Sequence, residues 1–152
     1  MRVRSALPAD RGFVLGLVPR LADGFPLPPW RTQEDVVRVE SALLDAALEV
    51  MPAGSALLIA ETPTGDPAGF VYMEQQRDYY GRAHGHVSVL AVAASAEGQG
   101  VGRLLLEAAE TWTREQGFRM LTLNVFAANA RARAVYERLG FVPETLRYAK
   151  TL

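Results

Sequence analysis

The 152-residue chain contains no cysteine. That single absence removes disulfides, thiolate metal sites and cysteine nucleophiles, and it fits a reducing compartment. Long apolar runs are missing too: none approaches the ~20 residues a membrane helix needs. Arg2 and Arg4 precede an apolar patch at Phe13–Val18, but Asp10, Arg11 and Gly12 interrupt before it and Pro19–Arg20 end it, a poor fit to a signal peptide. Neither sign of charge dominates: 16 Lys and Arg stand against 17 Asp and Glu, for a net charge of −1. Bulk electrostatics therefore argue against a nucleic-acid or membrane-surface partner. The chain reads as soluble and cytoplasmic.

Hydrophobic residues make up 49% and charged residues 22%, ordinary values for a globular chain, and the length suits one domain with one core over 1–152. "MRVRSAL" suits a short first strand. Asp10 is placed to cap a helix carrying Phe13, Val14, Leu17, Val18 and Leu21 at helical spacing. A Pro-rich loop, "GFPLPPW", follows, and Thr32 opens a second helix with Val36, Val37, Val39, Leu43, Leu44, Ala47 and Leu48 as its apolar side. Three strands come next, at 55–61, 68–76 and 86–92, the first two joined by the turn "TPTGDP". A helix over about 101–116 shows Val101, Leu104, Leu105, Ala108 and Trp112 on one stripe and ends at Gly117. A strand at 120–126, a last helix ending at Gly140 and one or two strands within "FVPETLRYAKTL" complete the chain. The order β-α-α-β-β-β-α-β-α-β describes a mixed α/β domain without repeats or linkers.

The segment "AEGQGVGRLLLEAAE", residues 96–110, sets three alternating glycines where a helix must begin. A strand, a glycine-rich turn and a helix N-terminus make an anion site. The first helical N–H groups lack partners, the helix dipole is positive there, and glycine admits a phosphate without a Cβ in the way. Arg103 could add a charge-assisted contact. A Walker loop is a weak fit, because the Lys-Ser/Thr pair is missing. A dinucleotide fingerprint fits poorly, because the spacing is G-x-G-x-G and the next strand ends in Val125–Phe126 rather than an acid.

Two blocks carry a family resemblance. "VLAVAASAEGQGVGRLLLEAAE" resembles the acyl-CoA-binding core of the GNAT superfamily of N-acetyltransferases, and "LNVFAANARARAVYERLGF" resembles that family's next block; together they span roughly 86–142. The resemblance implies a GNAT-like acyltransferase fold, a central, mostly antiparallel twisted sheet flanked by helices. It implies acetyl-CoA as cosubstrate, with no metal. The backbone N–H groups of Gly98, Gln99, Gly100, Val101 and Gly102, with Arg103, would hold the pyrophosphate. Leu90, Ala91 and Val92 would pair with the pantetheine arm, and the Leu90 N–H would donate to the thioester carbonyl. Asn129 would touch the cofactor. Tyr136 would protonate the leaving thiolate. Where the family carries Arg or Gln, this chain has Glu97, expected to face solvent so that binding survives.

The base is open from the residues alone. His84, His86 and Ser88 share one side if their strand extends back that far, and an unperturbed histidine suits a base near neutral pH. His86, His84, Glu74 and an ordered-water route are the alternatives. His-x-His invites a metal, but no third ligand stands out. Phe25, Leu27 and Trp30, with Tyr79 and Tyr80, are the candidate substrate surface, and Asp23 and Glu74 could attract a cationic amine. The expected activity is direct acetyl transfer to a primary amine of a small molecule or peptide. The alternative is a silent acyl-CoA-binding or regulatory module. Only 11 residues follow Phe141, which suits one long terminal strand completed by a neighbouring subunit, and a homodimer is expected.

Overall fold

The computed structural model describes residues 1–152. Strands β1 (Arg2–Ser5), β2 (Ser55–Glu61), β3 (Pro67–Arg77), β4 (Ala83–Val92) and β5 (Leu121–Leu123) form one sheet in sequence order. The first three pairings are antiparallel and β4–β5 is parallel. Helices α1 (Arg11–Leu17), α2 (Gln33–Glu49), α3 (Val101–Glu115) and α4 (Ala130–Arg138) cover it, with 3-10 turns at Pro8–Asp10, Val18–Ala22 and Ala94–Ala96. This is the mixed, mostly antiparallel architecture expected from the element order.

Both faces of the sheet are packed, which is why β3 is buried without interruption from Ala68 to Met73. On one face α1, the 3-10 turn after it and α2 bring Val14, Leu17, Val18 and Leu44 against Ile59, Phe70, Tyr72, Val89 and Ala91. On the other, α3 brings Val101, Leu105, Leu106 and Ala109 against Ala60, Val71, Met73 and Val87, with Tyr136, Leu139 and Phe141 at the margin. The register of β3 and β4 slips once. Tyr72 opposes Val89 while Met73 opposes Val87, so Ser88 is an extra residue on β4. This β-bulge resets the alternation of β4, sending Val87 to the α3 face and Val89 and Ala91 to the α1–α2 face.

Several local expectations hold. Thr32 caps α2 in a reciprocal box with Asp35: Thr32 Oγ1 accepts the Asp35 N–H and Asp35 Oδ2 accepts the Thr32 N–H, each at 3.0 Å. Gly117 and Gly140, at φ of +84° and +92°, follow the ends of α3 and α4. Others are corrected. Asp10 does not cap α1. Its buried carboxylate accepts the Leu7 N–H (2.7 Å) and a forked pair from Arg4 (2.7 and 2.9 Å), and the Arg4 hydrogen bond holds its pKa below the usual carboxylate range. Val39 is exposed, and the buried stripe of α3 runs through Val101, Leu105, Leu106, Ala109 and Thr113, with Leu104, Ala108 and Trp112 beside it. The strand expected over 120–126 pairs only at Leu121–Leu123, because beyond Leu123 the chain parts from β4. No residue after Phe141 joins a strand. Val142, Leu146, Tyr148 and Leu152 are exposed, and the expected terminal strands are absent from this chain's sheet. No helix is long and apolar enough to cross a membrane.

Candidate active site

The parting of β4 and β5 creates the site. Their pairing ends at Val87–Leu123, and beyond it Ser88, Val89 and Leu90 face Asn124, Val125 and Phe126 across a cavity of about 260 Å³. Backbone direction follows from the Ala93 N–H, which donates to Ala68 O on β3 (2.8 Å). By alternation the polar groups of Ala91 also face β3, and those of Leu90 and Val92 face the open side. Arg20 marks that open side, because its Nε donates to the Val92 carbonyl at 2.7 Å. An extended amide chain laid in the gap would find the Leu90 groups and the Val92 N–H as a ready strand edge, the Val92 carbonyl being taken by Arg20.

The glycine turn lies at the end of the same strand. Gly98 and Gly100 adopt φ of +73° and +81°, left-handed conformations, and a Cβ added to either would meet nothing within 4 Å. Gly100 caps α3 with no side-chain partner, and the first helical bond is Leu104 N–H to Gly100 O at 3.0 Å. The N–H groups of Val101, Gly102 and Arg103 precede that bond, so a helix start with unused donors opens onto clear space. These residues fit a pyrophosphate. The Arg103 guanidinium turns along the helix surface to Glu107 (2.8 Å), so Arg103 offers the turn its backbone. Glu97 faces solvent, as expected, and is paired there with Arg20.

Opposite Leu90, α4 contributes Asn129 and Tyr136. Asn129 Oδ1 accepts the Ala132 N–H at 3.2 Å, capping α4 while lining the cavity. Tyr136 packs against Phe141 with ring centroids 5.9 Å apart, and burial pushes its phenol pKa above the ordinary value. The phenol therefore keeps its proton throughout the neutral range.

The third wall comes from α2 and the loop that precedes it. Asp23, Phe25, Val36 and Glu40 line it. Phe25 stacks on Phe126 at 5.6 Å. Glu40 was missed in the sequence, where it is one acid among several on α2. Burial, aided by the charge of Glu74, raises its pKa. Glu74 connects to the cavity through Ser88, whose hydroxyl donates to Glu74 Oε2, and Tyr72 donates to the other oxygen at 3.4 Å. The bulge thus turns the Ser88 side chain toward the face that carries Glu74.

The histidines are buried strand residues rather than loop residues. His86 pairs with Glu74 across the strands, and its Nδ1 lies 2.7 Å from Thr122 Oγ1. His84 Nδ1 lies 3.3 Å from Arg82 O. Neither histidine lines the cavity. Burial lowers the His86 pKa, His84 lowers it further, and Glu74 opposes the shift. A histidine whose folded pKa lies below its unfolded value costs stability as pH falls through ~6.5, because the unfolded chain then binds the extra proton. Unfolding midpoints are expected to fall on acidification through that window, with a shallower slope in His86→Gln. An unchanged slope in the variant would remove His86 as the cause.

The remaining aromatics stay outside. Tyr79 and Tyr80 are 96% and 87% exposed and Trp30 is 43% exposed, and none of them lines the cavity. A larger open groove of about 720 Å³ runs between α3 and β1–β2, but it includes neither the glycine turn nor Tyr136.

Comparison with known proteins bears on this arrangement directly. The profile of the acetyltransferase (GNAT) family matches residues 21–141, a span that includes every cavity-lining residue but Arg20, the glycine turn and Tyr136. The chain belongs to the GNAT family. A mycothiol acetyltransferase of Saccharomonospora viridis is 31% identical over 157 aligned residues, covering 99% of this chain and 49% of the relative. One from Propionibacterium freudenreichii subsp. shermanii is 43% identical over 90 residues, covering 59% of this chain and 28% of the relative. The chain thus spans half or less of the length of these relatives. Among solved structures, a mutant of the BH1408 protein from Bacillus halodurans superposes with a TM-score of 0.77 at 20% identity, covering 100% of this chain and 99% of the other, which shows the shared fold.

Proposed function

We propose that this GNAT chain transfers an acetyl group from acetyl-CoA directly to a primary amine of a cationic small molecule or peptide. The observation that carries the reading is the convergence, on one cavity beside a glycine-bounded helix start, of the free Leu90 edge, the protonated Tyr136 phenol and the Glu40 carboxylate. Acetyl-CoA supplies the acyl group as an activated thioester.

Each residue then has a defined task. The glycine-turn N–H groups hold the pyrophosphate, and Leu90 and Val92 align the pantetheine amides. The Leu90 N–H donates to the thioester oxygen as negative charge develops there. The amine reaches the acyl carbon from the wall formed by Asp23, Phe25 and Glu40, and its carbon–nitrogen bond forms as the carbon–sulfur bond breaks. Tyr136 gives its proton to the sulfur. The ammonium sheds one proton to water before attack. The proton lost as the bond forms passes to Glu40 or, through Ser88, to Glu74, and the carboxylate returns it to water. Both histidines stand back from the cavity, which favours the carboxylates over them as acceptors of that proton. Tyr136, once deprotonated, recovers a proton from water.

The deciding test is calorimetric titration of acetyl-CoA into the protein, with NADH and ATP as controls, followed by an acceptor screen. Selective acetyl-CoA binding with turnover supports the reading; binding with no turnover on any amine favours a silent acyl-CoA module; no binding overturns both. The shared name of the curated relatives puts mycothiol acetylation first in the screen. Glu40→Gln is expected to lower kcat/KM for a cationic acceptor roughly tenfold, the effect of losing one charge-assisted contact, while leaving acetyl-CoA affinity unchanged. Equal kcat/KM in wild type and variant would place the amine elsewhere.

A further inference from the structure

Glu97 places a carboxylate immediately before the first glycine of the turn, where the family carries Arg or Gln. A carboxylate free to swing into the cradle would repel a pyrophosphate, and like charges on the loop and the ligand would weaken binding. In this chain the carboxylate is not free. Arg20, from the 3-10 turn Val18–Ala22, pairs its guanidinium with Glu97 Oε1. The same guanidinium is fixed a second time, with Nε on the Val92 carbonyl at 2.7 Å. Arg20 is also a wall of the acceptor cavity. One side chain therefore ties together the acceptor side, the end of β4 and the loop entering the glycine turn.

We infer that Arg20 is a positioning residue for the cofactor: it holds Glu97 away from the pyrophosphate cradle and neutralises it there. The inference rests on the acetyl-CoA reading above. An ordinary surface ion pair contributes little, because two flexible side chains must be ordered to form it and water screens it. This pair differs in two ways. The planar guanidinium is already oriented by the backbone carbonyl, so less freedom is lost in meeting Glu97. Arg20 is also partly shielded, at 30% exposure, while Glu97 stays exposed at 43%. The arrangement explains how a chain with an acid at this position keeps an anion site. The acid and its arginine act as a neutral unit beside the helix start, where the N–H groups of Val101, Gly102 and Arg103 precede the first helical bond, while the Gln99 N–H is spent on Ala96 O at 3.4 Å.

The test is the acetyl-CoA dissociation constant of wild type, Arg20→Ala, Glu97→Gln and the double variant, measured by calorimetry at low and high salt. Arg20→Ala is expected to weaken binding about five- to tenfold at low ionic strength, and the deficit is expected to shrink with added salt because it is a charge repulsion. Glu97→Gln in the Arg20→Ala background is expected to restore affinity to within about twofold of Glu97→Gln alone, since no uncompensated carboxylate remains. A loss that Glu97→Gln does not rescue would mean that Arg20 acts through β4 or the fold, and the inference fails. Unchanged affinity in Arg20→Ala also overturns it. Binding by Glu97→Gln but not by wild type would show that Arg20 leaves Glu97 obstructive, overturning this inference alone. No binding by any of the four proteins would overturn the acetyl-CoA reading itself.

Discussion

Tyr136→Phe is expected to lower kcat by about 10²–10³-fold, within the range a positioned general acid contributes, while acetyl-CoA affinity stays within about twofold. The substitution removes one oxygen and keeps the ring that packs on Phe141 and the margin of the α3 core. The fold and the cofactor edge on β4 should therefore survive, which separates this outcome from unfolding. The phenol pKa is raised by burial, so wild-type Tyr136 stays protonated across the neutral range. The variant must instead release an unprotonated thiolate or borrow a proton from water. The loss should be smaller for an acyl donor whose thiol is more acidic, because such a thiol needs less help in leaving. Steady-state kinetics with two acyl donors, beside calorimetry, checks both points. A variant with wild-type kcat would remove Tyr136 from the chemistry and leave it as a packing residue.

Gly85→Ala is expected to destabilise the protein by about 2–3 kcal/mol, the upper part of the range for overpacking a dense core. Gly85 lies on β4 beneath α3, and a Cβ built there would stand 2.4 Å from Thr113 Oγ1 and 2.9 Å from Thr113 Cγ2. Thr113 has little room to yield, being buried with its hydroxyl donating to Ala109 O at 2.8 Å. Helix α3 would have to lift from the strand that also carries His86, Ser88 and Leu90. For a chain of this size the melting temperature should fall by roughly 4–12 °C. Thr113→Ala removes both close atoms, so the double variant should recover much of the loss even though Thr113→Ala alone does not stabilise. Additive losses in the thermal melts of the two single variants and the double would show that the contact does not limit how closely α3 approaches β4.

The parts legible from sequence were those whose physical demands are local. A glycine at positive φ ahead of an amphipathic run announces a helix entry with unused N–H groups, and Gly98 and Gly100 behave that way. The Thr32 cap was legible for the same reason. Asp10 shows where local reasoning stops. Its type and position suit a helix cap, but Arg4, brought near by the fold, takes its carboxylate instead. The end of β5 and the C-terminal segment show the same limit, because apolar alternation indicates that a stretch can be a strand and not whether an edge lies within its reach.

The candidate site divides along that line. The sequence by itself determined the element order as far as the last helix, the glycine turn and the resemblance that singles out Leu90, Asn129 and Tyr136, because those signals sit within a few residues of one another. Tertiary structure alone decided which acids face the cavity. Asp23 and, on α2, Glu40 line it, while Glu74 on β3 reaches it only through Ser88, which a single bulge turns toward that carboxylate. It also decided that His84 and His86 lie outside the cavity, and that Glu97 is held by Arg20 across 77 positions of chain. Charge interactions depend on distance in space and on exclusion from water, and neither quantity is written in the order of residues until the chain has folded.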